Sequence, residues 1–109
     1  MTRNLIVGLL ALTGLSAAQS PQTFTGTITD DMCALAGHAQ MRMGPTDADC
    51  VRACIASHGA SYVLVVGKEV YNLSDQKTPE KFAAQNVSVH GTLDTKTKTI
   101  TVQSIAPAK

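Results

Sequence analysis

YVLVVGKEVYNL, residues 62 to 73, is the stretch that decides the fold. Tyr62 to Val66 and Glu69 to Leu73 are two short runs rich in β-branched and aromatic residues, which is typical of β-strands. They are joined by Gly67 and Lys68 alone. Glycine at the first position of a two-residue turn suits a type II′ hairpin. The stretch therefore predicts an antiparallel pair of strands at the centre of the chain.

A third strand is predicted upstream of this hairpin. From Thr23 to Thr29 the sequence TFTGTIT places threonines at alternate positions. This two-residue period is typical of a half-buried strand, with Phe24 and Ile28 facing inward. We interpret Asp30 and Asp31, which follow at once, as turn formers, because adjacent residues on a strand point to opposite faces.

A helix from residue 46 to 58 is predicted between that strand and the hairpin. Thr46 is suited to cap it, with Asp49 three residues later, and Gly59 is suited to end it. At about 100° per residue, one side of the helix carries a group of cysteine, apolar and histidine side chains. We expect this group to share the buried face: Cys50, Val51, Cys54, Ile55 and His58.

Two further elements follow the central hairpin. Thr78 and Pro79 favour the start of a short helix that runs to about Ala84. Alternating apolar residues then predict a second hairpin that turns between Asp94 and Thr97: Val87, Val89, Leu93, Ile100 and Val102.

The resulting fold class is mainly β. The order of elements predicts a five-stranded antiparallel barrel like the oligonucleotide/oligosaccharide-binding (OB) fold. One helix is inserted after the first strand, and a short helix separates strands 3 and 4. The closing segment, VSVHGTLDTKTKTITVQSI (87 to 105), resembles the last hairpin of small secreted bacterial OB-like proteins.

The centre of the chain resembles exported bacterial domains of unknown function. In these domains a cysteine and a nearby histidine are followed by a helix with two cysteines and a YVLVVG-type strand. The matching residues here are Cys33, His38, Cys50 and Cys54. The resemblance implies an OB-like fold and export, and it implies no activity.

The N-terminus predicts export. Arg3 precedes an uncharged apolar run from Leu5 to Leu15, and Ser16 to Ala18 are small residues suited to signal peptidase. We expect a cleaved signal peptide at residues 1–18 and one OB-like domain at 19–109, secreted or periplasmic, without a membrane anchor. Without Arg3 the nine basic residues become eight, against eight acidic ones. A net charge of zero argues against nucleic acid as a partner.

The three cysteines permit a structural disulfide. Export favours disulfide formation. Cys50 and Cys54 lie one helical turn apart with side chains running in parallel, so they are poor partners for each other. Cys33 would therefore bond to one of them, and Cys33 with Cys54 is the candidate pair.

A metal site is the competing interpretation. Cys33, His38, Cys50 and Cys54 would give a four-ligand shell of the kind that holds zinc. Adding Met41 and Met43 would favour Cu(I), which prefers thiolate and thioether ligands. The ligand types His38, Met41 and Met43 are similar to those of the periplasmic copper-efflux chaperones, which are small OB-like barrels.

Two alternatives stay open beside these. A cysteine left unpaired at Cys50, near the positive end of the helix, would suit thiol–disulfide chemistry. The domain could also bind a ligand or another exported protein through its loops. The chain has no GxSxG, HExxH, Walker or dinucleotide motif, so we expect a non-enzymatic protein.

Overall fold

The computed structural model describes residues 20–35 and 44–108. These residues form five β-strands, one α-helix and one 3₁₀ helix. In chain order they are β1 (Gln22–Asp30), α1 (Asp47–His58), β2 (Tyr62–Val66), β3 (Glu69–Leu73), the 3₁₀ helix (Thr78–Phe82), β4 (Asn86–Asp94) and β5 (Thr99–Pro107). The mainly β composition and the positions of both helices agree with the prediction. Neither helix in these ranges has the length and apolar character needed to span a bilayer.

The strands form a closed ring of hydrogen-bonded neighbours in the order β1-β2-β3-β5-β4. Four of the neighbouring pairs are antiparallel, as expected. The pair β3–β5 is parallel, with Asn72 opposite Thr99 and Leu73 opposite Ile100, so an entirely antiparallel sheet was a wrong expectation. The difference arises because a closed ring of five strands cannot alternate in direction throughout: five is an odd number, so one neighbouring pair must be parallel.

β1 joins both halves of the ring. Residues Gln22 to Thr27 pair with β4, and residues Thr27 to Asp30 pair with β2. Gly26 lies where the strand passes from one partner to the other, and a Cβ there would come within 2.3 Å of the carbonyl oxygen of Val65. The close approach of the backbones therefore requires glycine at this position.

The core lies inside this ring. Its buried members come from all five strands, from α1 and from the segment after the 3₁₀ helix: Ile28, Val51, Tyr62, Leu64, Leu73, Ala83, Val87, Val89 and Ile100. Ile28 is fully buried, and Phe24 packs against this cluster from the same face of β1. The inward face predicted for β1 is thereby confirmed.

Helix α1 has the predicted caps. The side-chain oxygen of Thr46 accepts a hydrogen bond from the backbone N–H of Asp49 at 3.1 Å. Gly59 ends the helix with a left-handed φ of 68°. Cys50 and Cys54 are buried as expected, but His58 is exposed, so its predicted burial was wrong. A histidine in the last turn meets water and the negative end of the helix dipole, and both favour its exposure.

The short helix begins differently from the prediction. Thr78 is its first residue rather than its cap, and the cap residue Lys77 makes no side-chain cap hydrogen bond. A carboxylate oxygen of Asp75, just before the helix, accepts hydrogen bonds from the backbone N–H groups of Lys77 and Thr78 at 2.9 and 3.0 Å. A hydrogen bond from the Thr78 side chain, followed by these two backbone bonds, lowers the pKa of the Asp75 carboxyl group. The helix ends at Phe82, and Ala84, with a φ of 65°, redirects the chain into β4.

Candidate metal centre

Three metal-ligating side chains meet at the end of β1. A carboxylate oxygen of Asp30 and the sulfur atoms of Cys33 and Cys54 all lie within 4.8 Å of one another, and all three residues are buried. Asp30 is the last residue of β1, Cys33 lies in the turn that follows, and Cys54 lies within α1. We call these three residues the Asp–Cys–Cys cluster.

The alternation of β1 accounts for the burial of Asp30. Counting by two from Phe24 and Ile28 places Asp30 on the same inward face. Its backbone lies opposite Tyr62 in the pairing of β1 with β2, and Asp30 is 0% exposed. The interpretation of Asp30 as a turn former was therefore wrong. Asp31 does lie in the turn that follows β1, and its carboxylate accepts a hydrogen bond from the backbone N–H of Ser61 at 3.2 Å.

The Asp30 carboxylate is short of hydrogen-bond donors. Neither of its oxygens has a hydrogen bond of standard geometry among the described residues. The thiols of Cys33 and Cys54 interact with it more loosely. A buried carboxylate with so few donors costs stability unless a cation or a proton compensates for its charge. Its two oxygens are therefore suited to a metal ion.

The two thiols of the cluster hold their protons tightly. Burial, followed by the nearby charge of Asp30, raises the pKa of Cys54 from 9.0 to about 12. The same causes raise the pKa of Cys33. No disulfide joins any of the three cysteines, all of which lie among the described residues. A bound cation would reverse this preference, because a coordinating thiol loses its proton.

Cys50 lies beside the cluster but outside it. It is fully buried one turn before Cys54, and its electrostatic interaction with Cys33 and Cys54 contributes to their raised pKa values. Its sulfur is not among the atoms that lie within 4.8 Å of one another.

The predicted ligands thus fall into three groups. The structure brings Cys33 and Cys54 together, and it places Cys50 next to them. His38, Met41 and Met43 lie outside the described residues. Asp30 is a ligand candidate that the sequence analysis missed, although the inward period of β1 was a signal that could have identified it.

A cleft of about 250 Å³ reaches the cluster from outside. Its lining includes Thr27 and Thr29 of β1, Val65 of β2, and Asp47 at the start of α1. Of the cluster, Cys33 lines this cleft, whereas Asp30 and Cys54 do not. Cys33 is therefore the member that a small molecule would reach first.

The donor set of one carboxylate oxygen and two sulfurs is one that zinc accepts. Comparison with known proteins adds no assignment: the chain matches no protein-family model, no curated protein and no solved structure.

Proposed function

We propose that this protein is a small exported, non-enzymatic domain that binds a thiophilic divalent metal ion, zinc above all, through Asp30, Cys33 and Cys54. The observation that carries the proposal is the burial of these three side chains with their ligand atoms within 4.8 Å of one another. A carboxylate and two cysteines seldom meet in a core of this size without a compensating cation, because charged groups are rarely buried unless they are paired or bind metal.

The donor types favour zinc over Cu(I). Zinc binds cysteine sulfur, histidine nitrogen and carboxylate oxygen, whereas Cu(I) prefers thiolates and thioethers. The hard oxygen of Asp30 is therefore a suitable zinc ligand and a poor copper ligand. A copper site would need Met41 and Met43, the thioether ligands indicated by the sequence.

Export and an OB-like fold are parts of the same proposal. Export is supported by the basic, apolar and small-residue segments of residues 1–18. The OB-like assignment is supported by the ring order β1-β2-β3-β5-β4 and by the short helix between β3 and β4. In this arrangement the metal would connect the end of β1 to α1, which is inserted between β1 and β2.

A site with three protein ligands favours exchange of the metal ion over its permanent retention. Structural zinc sites are closed by four protein ligands. This cluster supplies three ligands, and one of them, Cys33, lines a cleft. A site of this kind suits a protein that takes up metal and releases it, such as a metal carrier or buffer outside the cytoplasm.

Zinc competition tests the proposal. The purified chain is reduced, freed of metal and titrated without oxygen against a chromophoric zinc chelator. We expect one zinc ion per chain. We expect Cys33→Ser and Cys54→Ser to weaken binding by more than the roughly 10- to 100-fold that loss of a supporting residue costs.

His58→Ala is the matched control for this titration. His58 lies on the same helix as Cys54 but is exposed, so its loss should leave the zinc affinity unchanged. The proposal is wrong if the wild-type chain binds no zinc, or if the two cysteine variants bind zinc as tightly as His58→Ala does.

A further inference from the structure

Cys33 and Cys54 differ in their access to solvent although they lie side by side. Cys33 lines the cleft and is 3% exposed, whereas Cys54 is 0% exposed and does not line the cleft. Their sulfur atoms are within 4.8 Å of each other. One thiol is thus placed to meet a small molecule, and the second is placed to react with the first.

We propose that Cys33 and Cys54 are a redox pair that controls the metal site, with small disulfides as the oxidant. This inference rests on the proposed zinc function. A disulfide compound enters the cleft and reacts with Cys33, and Cys54 then completes an internal disulfide. Both sulfur ligands are consumed, so the metal ion is released.

The two steps balance as thiol–disulfide exchange. The Cys33 thiol first loses its proton to solvent, and the thiolate attacks one sulfur of R–S–S–R; the S–S bond breaks, a mixed disulfide forms, and the departing thiolate takes up a proton to leave as RSH. The Cys54 sulfur then attacks the Cys33 sulfur, which forms the internal disulfide and releases a second RSH. In the metal-free chain the protein loses two electrons and two protons, and the small disulfide gains them. In the zinc-loaded chain the two thiolates lose the two electrons, the zinc ion leaves, and the two protons come from water.

Geometry favours Cys33 with Cys54 over the other pairings. Cys50 and Cys54 lie one turn apart on α1, where their side chains run in parallel, and a disulfide needs Cβ atoms that approach each other. Cys33 lies in a turn rather than in a helix or strand, at residues that follow β1 directly. Cys33 can therefore move the short distance that brings its sulfur into bonding range of Cys54. Cys50 cannot do so as readily, because Cys50 and Cys54 are both fixed on one helix.

The cleft also indicates the class of disulfide. Its volume of about 250 Å³ admits a small molecule, Asp47 lines it, and a carboxylate oxygen of Asp30 lies within 4.8 Å of the Cys33 sulfur. Acidic groups attract cationic compounds and repel anionic ones. Cystamine, a small disulfide with two ammonium ends, is therefore a suitable probe.

The experiment treats the reduced, metal-free chain with cystamine and identifies the linked cysteines by peptide mass mapping. We expect the wild-type chain and Cys50→Ser to form the Cys33–Cys54 disulfide at similar rates. We expect Cys54→Ser to accumulate a mixed disulfide on Cys33. We expect Cys33→Ser to form any internal disulfide more slowly than the wild-type chain does. Alanine variants at the same positions replace any serine variant whose circular dichroism shows that it does not fold.

The redox pair is overturned if the disulfide maps to Cys50, if Cys33→Ser is oxidised as fast as the wild type, or if no internal disulfide forms. Zinc titration of the reduced chain reports separately on the proposed function. A chain that forms the Cys33–Cys54 disulfide but binds no zinc overturns the metal site and leaves the redox pair. A chain that binds zinc and retains it after cystamine treatment overturns the redox control and leaves the metal site.

Discussion

The carboxylate of Asp30 and the thiol of Cys54 lie within 4.8 Å of each other in the interior of the protein. Asp30 ends β1 and Cys54 lies on α1, and both residues are 0% exposed. Burial, followed by the charge of the acidic group, raises the pKa of the thiol, and neither carboxylate oxygen has a hydrogen bond of standard geometry within the described part of the chain. This pair is a poor arrangement for stability and a good one for holding a cation.

The substitution Asp30→Asn should separate these two properties. Asparagine has nearly the same size without the charge, so the metal-free variant should be at least as stable as the wild type, and on the order of 1 kcal/mol more stable. Zinc should no longer stabilise it, whereas at 100 times the dissociation constant zinc should stabilise the wild type by about 2.7 kcal/mol. Urea unfolding with and without zinc measures both free energies.

Asp31→Asn is the control for this substitution. Asp31 is the neighbouring residue and is exposed, with a carboxylate that bonds to Ser61 rather than to the cluster. We expect zinc to stabilise Asp31→Asn as much as it stabilises the wild type. A zinc effect that persists in Asp30→Asn would contradict the role of Asp30 as a ligand.

The raised pKa of Cys54 predicts a loss of stability in alkali. The unfolded chain releases this thiol proton near the ordinary value of 9.0, whereas the folded chain retains it up to about pH 12. Between these values the unfolded state binds fewer protons, so the free energy of unfolding falls as pH rises. One such proton contributes a slope of up to about 1.4 kcal/mol per pH unit, and its full stabilising effect is present below pH 9.

Cys54→Ala isolates this contribution. Urea unfolding of the reduced, metal-free wild type and of Cys54→Ala should be compared at about pH 8 and about pH 10.5, which lie on either side of the ordinary pKa of the thiol. We expect the stability of the wild type to fall more than that of the variant. Equal losses of stability in the two proteins would show that Cys54 has an ordinary thiol pKa in the folded state.

Much of the fold was predictable because its signals are local. The strands Tyr62–Val66 and Glu69–Leu73 have the bounds that the hairpin pattern indicated, and Thr46 and Gly59 cap α1 as expected. The parallel pairing of β3 with β5 was not predictable, because it depends on how the ring closes and not on the sequence of either strand.

The site was predictable only in part. The cysteines of α1 could be assigned to its buried face from helical spacing, but the partner they would meet there depends on how α1 packs against the end of β1. Two adjacent aspartates after a strand look alike in sequence, yet Asp30 is buried and Asp31 is exposed. The alternation of β1 distinguishes them only when the strand is extended by one residue beyond Thr29.

Gln76 should be a positioning residue for this end of the sheet. Its side-chain oxygen accepts a hydrogen bond from the backbone N–H of Tyr62 at 2.8 Å, and its amide donates to the backbone oxygens of Tyr62 and Leu73 at 3.0 and 3.1 Å. Tyr62 lies opposite Asp30. At about 1 kcal/mol for each hydrogen bond, Gln76→Ala should lower the free energy of unfolding by about 2–3 kcal/mol.

Gln76→Glu extends this test, since a carboxylate cannot donate to the two carbonyl oxygens and should lose much of the same stability. Gln103→Ala is the control, because Gln103 is an exposed glutamine on β5. Urea unfolding of the three variants provides the comparison. If Gln76→Ala were no less stable than Gln103→Ala, the side-chain bonds of Gln76 would not hold β2 in place.

The central claim is that Asp30, Cys33 and Cys54 are zinc ligands, and zinc K-edge X-ray absorption of the zinc-loaded chain tests it most directly. We predict two sulfur neighbours at about 2.3 Å together with oxygen neighbours at about 2.0–2.2 Å. Cys54→Ser should lose one sulfur neighbour, and Cys50→Ser should keep both. A zinc shell without sulfur, or one that is unchanged in Cys54→Ser, would contradict the account.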